Sequence, residues 1–448
     1  MNTSADPVTS EVLRELSVFV DLSRRTLLTS TGALASAGLL ASAGLGRGLL
    51  SPAAAGTTAL PAPAASGIEH VVVVMMENRS FDHFLGWLPG ADGKQAGLTF
   101  TDRYGLKHTT HHLTEFASCA YNDPDHSYEG GRIELNGGRC DGWLKAGEHD
   151  SLAIGYYTQP DLAFLGQAAP AWTVCDRYFS AVMAETYPNR FYQHAARTDR
   201  LHNSTTTSSL PTIWDRLAAA GLTGRYYFSD IPFTALWGTK YLPISRPFAA
   251  FLADAATGRL PAVSFVDPRF EDEASGSSGD DHPKADIRAG EQFLNQVYEA
   301  VTSSPNWANT VLVVNFDEWG GFYDHVAPGT APDVSSDTAL RGFRVPALVI
   351  SPRARRRHIA HNTYDHTSVL KLIEWRWGLQ PLTPRDSAAR NLAEVLDFGR
   401  PPDLVAPRFA VPPFIATACP PAELTGAEQA EWPALKSKAL ADGWTLSS

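Results

Sequence analysis

Hydrophobic positions along this chain fall into short unbroken runs, separated by stretches in which apolar residues recur every three or four positions. The runs at 71–76, 261–266, 311–316 and 346–350 predict central strands covered on both faces. The stretches at 211–220, 287–302 and 367–377 predict helices. This alternation predicts an α/β domain with a mainly parallel central sheet flanked by helices. Residues 176–184 are shorter and more polar and leave their type open. Residues 86–160, rich in Gly, His, Asp and Asn, predict long loops or a small lid over a site. The acidic Gly/Ser segment 271–281 predicts another site loop. Past residue 400 the chain is Pro-rich, and its most hydrophobic part, 411–418, is expected to pack back on the domain.

Two of the apolar runs end in the same way. The first is followed by Glu77-Asn78-Arg79-Ser80, the second by Asp317-Glu318-Trp319-Gly320-Gly321. In open α/β sheets ligands bind beyond the carboxyl ends of the strands. Glu77, Asn78, Asp317 and Glu318 together offer three carboxylates and an amide oxygen, a set suited to calcium, magnesium or manganese. Added histidine ligands would move the choice toward zinc or iron. The competing reading is a polar strand-to-helix turn, with Asn78 or Ser80 as a helix cap and solvated charges elsewhere.

A third element is Glu185-Thr186-Tyr187-Pro188-Asn189-Arg190. Pro188, followed by helix-compatible residues, places Thr186 at a helix N-terminus, where free N–H groups favour an oxyanion. Thr186 is then either a nucleophile or an ordinary N-cap. His126, His282, His325 and His366 each lie beside aspartates in loops, a pattern suited to phosphate contacts and to protonating a leaving group.

The formal charge of −11 gives no sign of a nucleic-acid binder and offers no polybasic membrane patch. Ser23-Arg24-Arg25-Thr26-Leu27-Leu28, a weakly apolar Ala/Gly stretch and Ala53-Ala54-Ala55 form a twin-arginine export signal over residues 1–55. The competing reading, an uncleaved anchor, needs a more hydrophobic span. Residues 56–67 form a linker. Export permits disulfides, and Cys119–Cys140 would close a Gly-rich loop, with Cys175 a buried thiol. No cysteine spacing suggests zinc.

In order along the chain stand Met76-Glu-Asn-Arg-Ser-Phe-Asp-His83, Cys175-Asp-Arg-Tyr-Phe-Ser180, Thr186-Tyr-Pro-Asn-Arg190, Asp280-Asp-His-Pro283, Gly320-Gly-Phe-Tyr-Asp-His-Val326 and Tyr364-Asp-His-Thr-Ser-Val-Leu370. They resemble the bacterial phosphoesterase family that contains phospholipases C and a metal-dependent acid phosphatase, related in fold to alkaline phosphatases. The resemblance implies a single large alkaline phosphatase-like domain over 68–448. It implies one divalent metal ion held by Glu77, Asn78, Asp317 and Glu318, with Thr186 both ligand and nucleophile. His126, His282 and Asp281 would contact the phosphoryl group. The roles of His325 and His366 stay open. The implied activity is phospholipase C action on phosphatidylcholine-type lipids through a phosphothreonine. The alternatives are an acid phosphatase and a non-catalytic exported binding protein. The implied partners are a phosphoester substrate, including membrane phospholipid, and the twin-arginine export machinery. The implied location is secreted, periplasmic or cell-wall associated. Where members often read Gly-Pro-Thr-His before Pro-Asn-Arg, this chain reads Ala184-Glu185-Thr186-Tyr187, so the histidine is missing and Glu185 is added. The larger members carry additional C-terminal β domains, which are not expected here, and this makes attack on membrane lipid a less direct expectation than phosphoester cleavage as such. An apolar groove beside Thr186, walled by the aromatics of 226–237, would favour lipid.

Overall fold

The computed structural model describes residues 59–147, 151–420 and 430–446. The export-signal segment 1–55 and the first part of the linker lie outside the described residues. Eight strands form the central sheet: β1 (His70–Met76), β2 (Thr173–Cys175), β3 (Gly224–Phe228), β4 (Ser245–Pro247), β5 (Val263–Val266), β6 (Thr310–Phe316), β7 (Ala347–Ile350) and β8 (His358–Ala360). Their order across the sheet is β8-β2-β7-β6-β1-β5-β3-β4. All neighbours pair in parallel except at β7, which runs against both β6 and β2. This is the mixed α/β, mainly parallel sheet that the alternation predicts. The direction of β7 could not be read from its apolar run.

The two central strands β1 and β6 are buried along almost their whole length, which explains their unbroken Val, Leu and Met runs. The described helices used below are α1 (Phe81–Leu85), α2 (Tyr128–Leu135), α3 (Thr186–Ala195), α4 (Ile213–Ala219), α5 (Ile287–Thr302), α6 (His366–Trp377) and α7 (Glu431–Ala441). Helices α4, α5 and α6 match the three predicted stretches. Residues 176–184 hold one short strand, Tyr178–Phe179, and residues 86–160 hold short strands and α2 among their loops. No helix among the described residues is long and apolar enough to cross a membrane.

One expectation is corrected and one is refined. Cys119 pairs with Cys419, 300 positions away, and Cys140 is a free buried thiol, as is Cys175. The returning tail makes this pairing: the Cys419 N–H donates to the Ala274 carbonyl at 2.7 Å beside the Cys119 loop. The stretch 411–418 does return to the domain, with Val411 against the core and Phe414 beside Arg288, but it stays largely exposed, Ile415 at 82%. The firmer C-terminal anchor is α7. It buries Trp432, Leu435 and Ala439 along one face, which a Pro-rich extended segment cannot do.

Candidate active site

Strands β1 and β6 are parallel and in register from His70 opposite Thr310 to Met76 opposite Phe316, so their acidic ends leave the sheet side by side. Backbone and side-chain bonds then lock the two ends together. The Asp317 N–H donates to the Met76 carbonyl at 3.0 Å and the Arg79 N–H to the Glu318 carbonyl at 3.2 Å. The Asn78 N–H donates to Asp317 Oδ1 at 3.1 Å. Asn78 itself sits at φ 58°, and Gly320 packs so closely that a Cβ there would lie 2.3 Å from the Asn78 carbonyl oxygen. Only glycine fits that approach.

Each carboxylate has one oxygen fixed and one left over. Asp317 Oδ1 accepts from Asn78 and Glu318 N–H groups, Glu318 Oε2 from the Gly320 N–H, and Glu77 Oε2 from the Trp432 indole. The remaining Glu77 Oε1, Asp317 Oδ2 and Glu318 Oε1 have no hydrogen-bond partner, and neither do Asn78 Oδ1 and Thr186 Oγ1. All five residues are fully buried. Burying polar oxygens unpartnered is strongly unfavourable, so the arrangement is incomplete as protein alone.

Nearby cations only partly answer this charge. Arg190 lies 3.1 Å from Glu77 Oε1, 3.4 Å from Asp317 Oδ2 and 3.4 Å from Asp267 Oδ1. Burial opposes its charge, but these carboxylates hold its pKa above the ordinary range. Burial nonetheless pushes the Glu77 and Asp317 carboxyls upward and takes Glu318 to about 8. Five hard oxygens without a hydrogen bond, three of them anionic and only partly answered by Arg190, are the kind of donor a hard divalent cation takes.

Thr186 is the first residue of α3, and Glu185 occupies the cap position without a side-chain cap bond. The Thr186 hydroxyl is therefore not spent on capping. Arg190 stands one turn further on the same helix face and reaches Glu77 and Asp317, which aims the start of α3 at the carboxylates. Asn189 fixes the approach: its side chain accepts from the Val182 N–H at 2.9 Å and donates to the Ala184 carbonyl at 2.7 Å.

The histidines form a rim. His126 Nε2 is 3.3 Å from Asn78 Nδ2 and 3.9 Å from Glu318 Oε1. Asp123 Oδ2 lies 3.8 Å from His126 Nδ1 and 3.5 Å from His282 Nε2. Glu273 Oε1 lies 3.2 Å from His282 Nδ1. Burial works against charge on both rings. Glu318 and Asp123 still take His126 to about 9, and Glu273 and Asp123 hold His282 well above the ordinary range.

The sequence model of the phosphoesterase family matches residues 68–380. The chain belongs to the phosphoesterase family. It is a phosphoric ester hydrolase by that membership. The chain is 31% identical over 372 residues to non-specific phospholipase C1 of Arabidopsis thaliana, covering 72% of this chain and 69% of that one. It is 31% identical over 435 residues to phospholipase C B of Mycobacterium tuberculosis, covering 77% and 80%. It is 29% identical to the non-hemolytic phospholipase C of Pseudomonas aeruginosa, of which it spans 58%.

Other predicted residues of this phosphoesterase fall outside the cage. Asp281 sits at φ 79°, and its carboxylate lies against Gly290 of α5, where a Cβ would meet Asp281 Oδ1 at 2.0 Å. Its carbonyl accepts from Arg79 Nε at 2.8 Å. Asp280 is the one turned toward the cage. Its carbonyl accepts from the Glu77 N–H at 2.8 Å and its Oδ1 from the His282 N–H at 3.2 Å. His366 Nε2 lies 2.6 Å from the Asp317 carbonyl, and burial takes its pKa down to about 4, so it is a neutral donor that steadies the strand end. His325 belongs to a separate network with Asp82 and Asp324. Ser80 caps α1, accepting from the His83 N–H at 3.2 Å.

The aromatics that could have walled a groove take the commoner role of core: Tyr226 and Phe233 are fully buried and Trp237 is 4% exposed. Sequence reasoning gave no role to Arg190, Asp123, Asp267 or Trp432. Arg190 carried a signal, since it lies four residues after Thr186 on a predicted helix. The other three are brought in only by the fold.

Proposed function

We propose that this phosphoesterase is an exported metal-dependent phospholipase C, cleaving phosphatidylcholine-type lipids to diacylglycerol and a phosphorylated alcohol. The observation that carries this reading is that Glu77, Asn78, Thr186, Asp317 and Glu318, at the ends of β1 and β6 and the start of α3, each keep a buried oxygen without a hydrogen bond. In this reading these residues hold one divalent cation, and an all-oxygen set suits calcium, magnesium or manganese. The chemistry that such a cation supplies when bound is neutralisation of phosphoryl charge and a more acidic hydroxyl.

The chain's own residues do the rest. Thr186, its hydroxyl proton first released to solvent, attacks phosphorus in line as the alkoxide and leaves as the alkoxide when water opens the ester, while the N–H groups at the start of α3 and the Arg190 guanidinium favour the developing anion. His126 and His282, both held protonated, bind phosphoryl oxygens, and one of them gives its proton to the departing diacylglycerol oxygen. The ring left neutral then takes a proton from the water that opens the phosphothreonine. Inversion at each step gives overall retention at phosphorus. Asp281 contributes only through the carbonyl that positions Arg79. The Arg24-Arg25 segment supports delivery by the twin-arginine machinery to a secreted, periplasmic or cell-wall location.

The fully buried cage favours one second reading, a phosphomonoesterase acting on small esters. The test assays the mature chain on phosphatidylcholine vesicles, p-nitrophenyl phosphorylcholine and p-nitrophenyl phosphate, with and without chelator, beside Thr186→Ala. The expected result is chelator-sensitive phosphodiester cleavage that falls by about a thousandfold in Thr186→Ala. Turnover confined to the monoester decides for the second reading. Activity that survives both chelator and Thr186→Ala rejects the mechanism.

A further inference from the structure

Glu77 has two carboxylate oxygens, and only one of them faces the unpartnered set. The other, Oε2, accepts a hydrogen bond from Trp432 Nε1 at 3.2 Å. Trp432 is the second residue of α7, beyond the 68–380 span matched by the family model. Its indole is fully buried and aimed by a parallel stack on Phe270, with centroids 3.8 Å apart and planes 4° apart. An edge-on contact with Tyr187 at 5.3 Å closes the other side.

The same helix also braces the start of α3. Tyr187 donates its hydroxyl to the Glu431 carbonyl at 2.8 Å. Glu431 Oε1 accepts from Asn203 Nδ2 at 2.7 Å, and Asn203 Oδ1 accepts from the Tyr187 N–H, an open donor in the first turn of α3, at 2.8 Å. Glu185 Oε2 accepts from the Asn203 N–H at 2.6 Å. Glu185 and Tyr187 are two of the three positions at which this chain departs from the family motif; Tyr187 bonds α7 directly and Glu185 reaches it only through Asn203.

We infer that Trp432 is a positioning residue for Glu77, and that α7 is a C-terminal brace that fixes one carboxylate of the cage and the Thr186 helix start together. The inference rests on the metal reading of the cage. A donor on Oε2 holds the carboxylate plane and keeps Oε1 turned inward, the arrangement by which outer partners tune ligands.

The experiment uses the full mature chain stripped by chelator and titrated with Mn2+, followed by loss of the free-ion EPR signal. Trp432→Phe keeps the stack on Phe270 and removes only the N–H donor. The expected result is about tenfold weaker Mn2+ binding, the lower end of the loss seen for such partners, with the unfolding midpoint of the metal-free chain unchanged. Tyr187→Phe, which frees the Glu431 carbonyl and leaves Glu77 untouched, is expected to weaken Mn2+ binding by about two- to threefold. It stands in if Trp432→Phe fails to fold. Affinities within twofold of the parent in the folded variants overturn the inference and leave the cage intact. A parent chain that takes up no Mn2+ overturns the cage and the inference together.

Discussion

Two acidic clusters lie at the carboxyl end of β1 and its neighbour, and both are fully buried, yet they are built on opposite principles. In one, Asp82 and Asp324 share Arg344. The guanidinium donates to Asp324 Oδ1 at 2.8 Å, Asp324 Oδ2 at 3.0 Å and Asp82 Oδ1 at 3.1 Å, and to the carbonyls of Asp92 and Asp176. His325 takes the remaining Asp82 oxygen at 2.6 Å. In the other, Glu77, Asp317 and Glu318 each keep an oxygen without a hydrogen bond, and their main cation, Arg190, is shared with Asp267. Acidity alone therefore does not mark a cation site. A shortage of donors and of positive charge does. The first cluster ties loops together, and the second keeps buried oxygens that protein donors leave without a hydrogen bond.

The largest expected effect comes from breaking the balanced cluster. Arg344→Met keeps the volume but leaves two carboxylates buried without their cation, and removing one partner of such a pair costs about 3–5 kcal/mol. Urea unfolding at neutral pH measures it, and a loss below about 1 kcal/mol would show that the network bears little weight. Asp317→Asn is expected to act in the opposite direction. It removes a like charge from an under-compensated group and keeps an acceptor for Asn78 and Glu318, so the metal-free chain gains about 1 kcal/mol. The same variant loses the stabilisation that saturating Mn2+ gives the parent, about 2.7 kcal/mol at a hundred times Kd. Destabilisation of metal-free Asp317→Asn by as much as Arg344→Met would erase the distinction between the clusters.

What could be read from the sequence was local. An apolar run followed at once by Glu77-Asn78 or Asp317-Glu318 encodes both the strand and what its end presents, and Pro188 marks the helix that begins at Thr186. Parallel pairing of β1 with β6 then brings these pieces together. What could not be read depended on distant chain returning. Proximity along the chain favoured Cys140 for Cys119, but the disulfide follows the path of the tail to Cys419. Trp432 reaches Glu77 across 355 positions. Asp280 and Asp281 look equivalent in sequence, and one residue at positive φ decides which carboxylate faces α5.

The smallest expected effect separates the clusters by pH. Burial disfavours a charged His325, but its bond to Asp82 and the charges of Asp82 and Asp324 raise its pKa above the ordinary value. The unfolded ring titrates near ~6.5. A group with a raised folded pKa adds stability that is complete below the unfolded value and is lost as pH rises through the folded one. Unfolding free energy should therefore decline as pH rises above about 6.5. His325→Gln, which keeps a donor toward Asp82 but cannot titrate, should flatten that part of the profile and lower stability in the acid range, where the imidazolium contribution is complete. His325 acts inside the cluster that Arg344 has already balanced, so the change stays well below that of Arg344→Met. Parent and His325→Gln profiles that run parallel from pH 6 to pH 9 would show that the imidazolium adds nothing to the balanced cluster, leaving Arg344 as its sole effective cation.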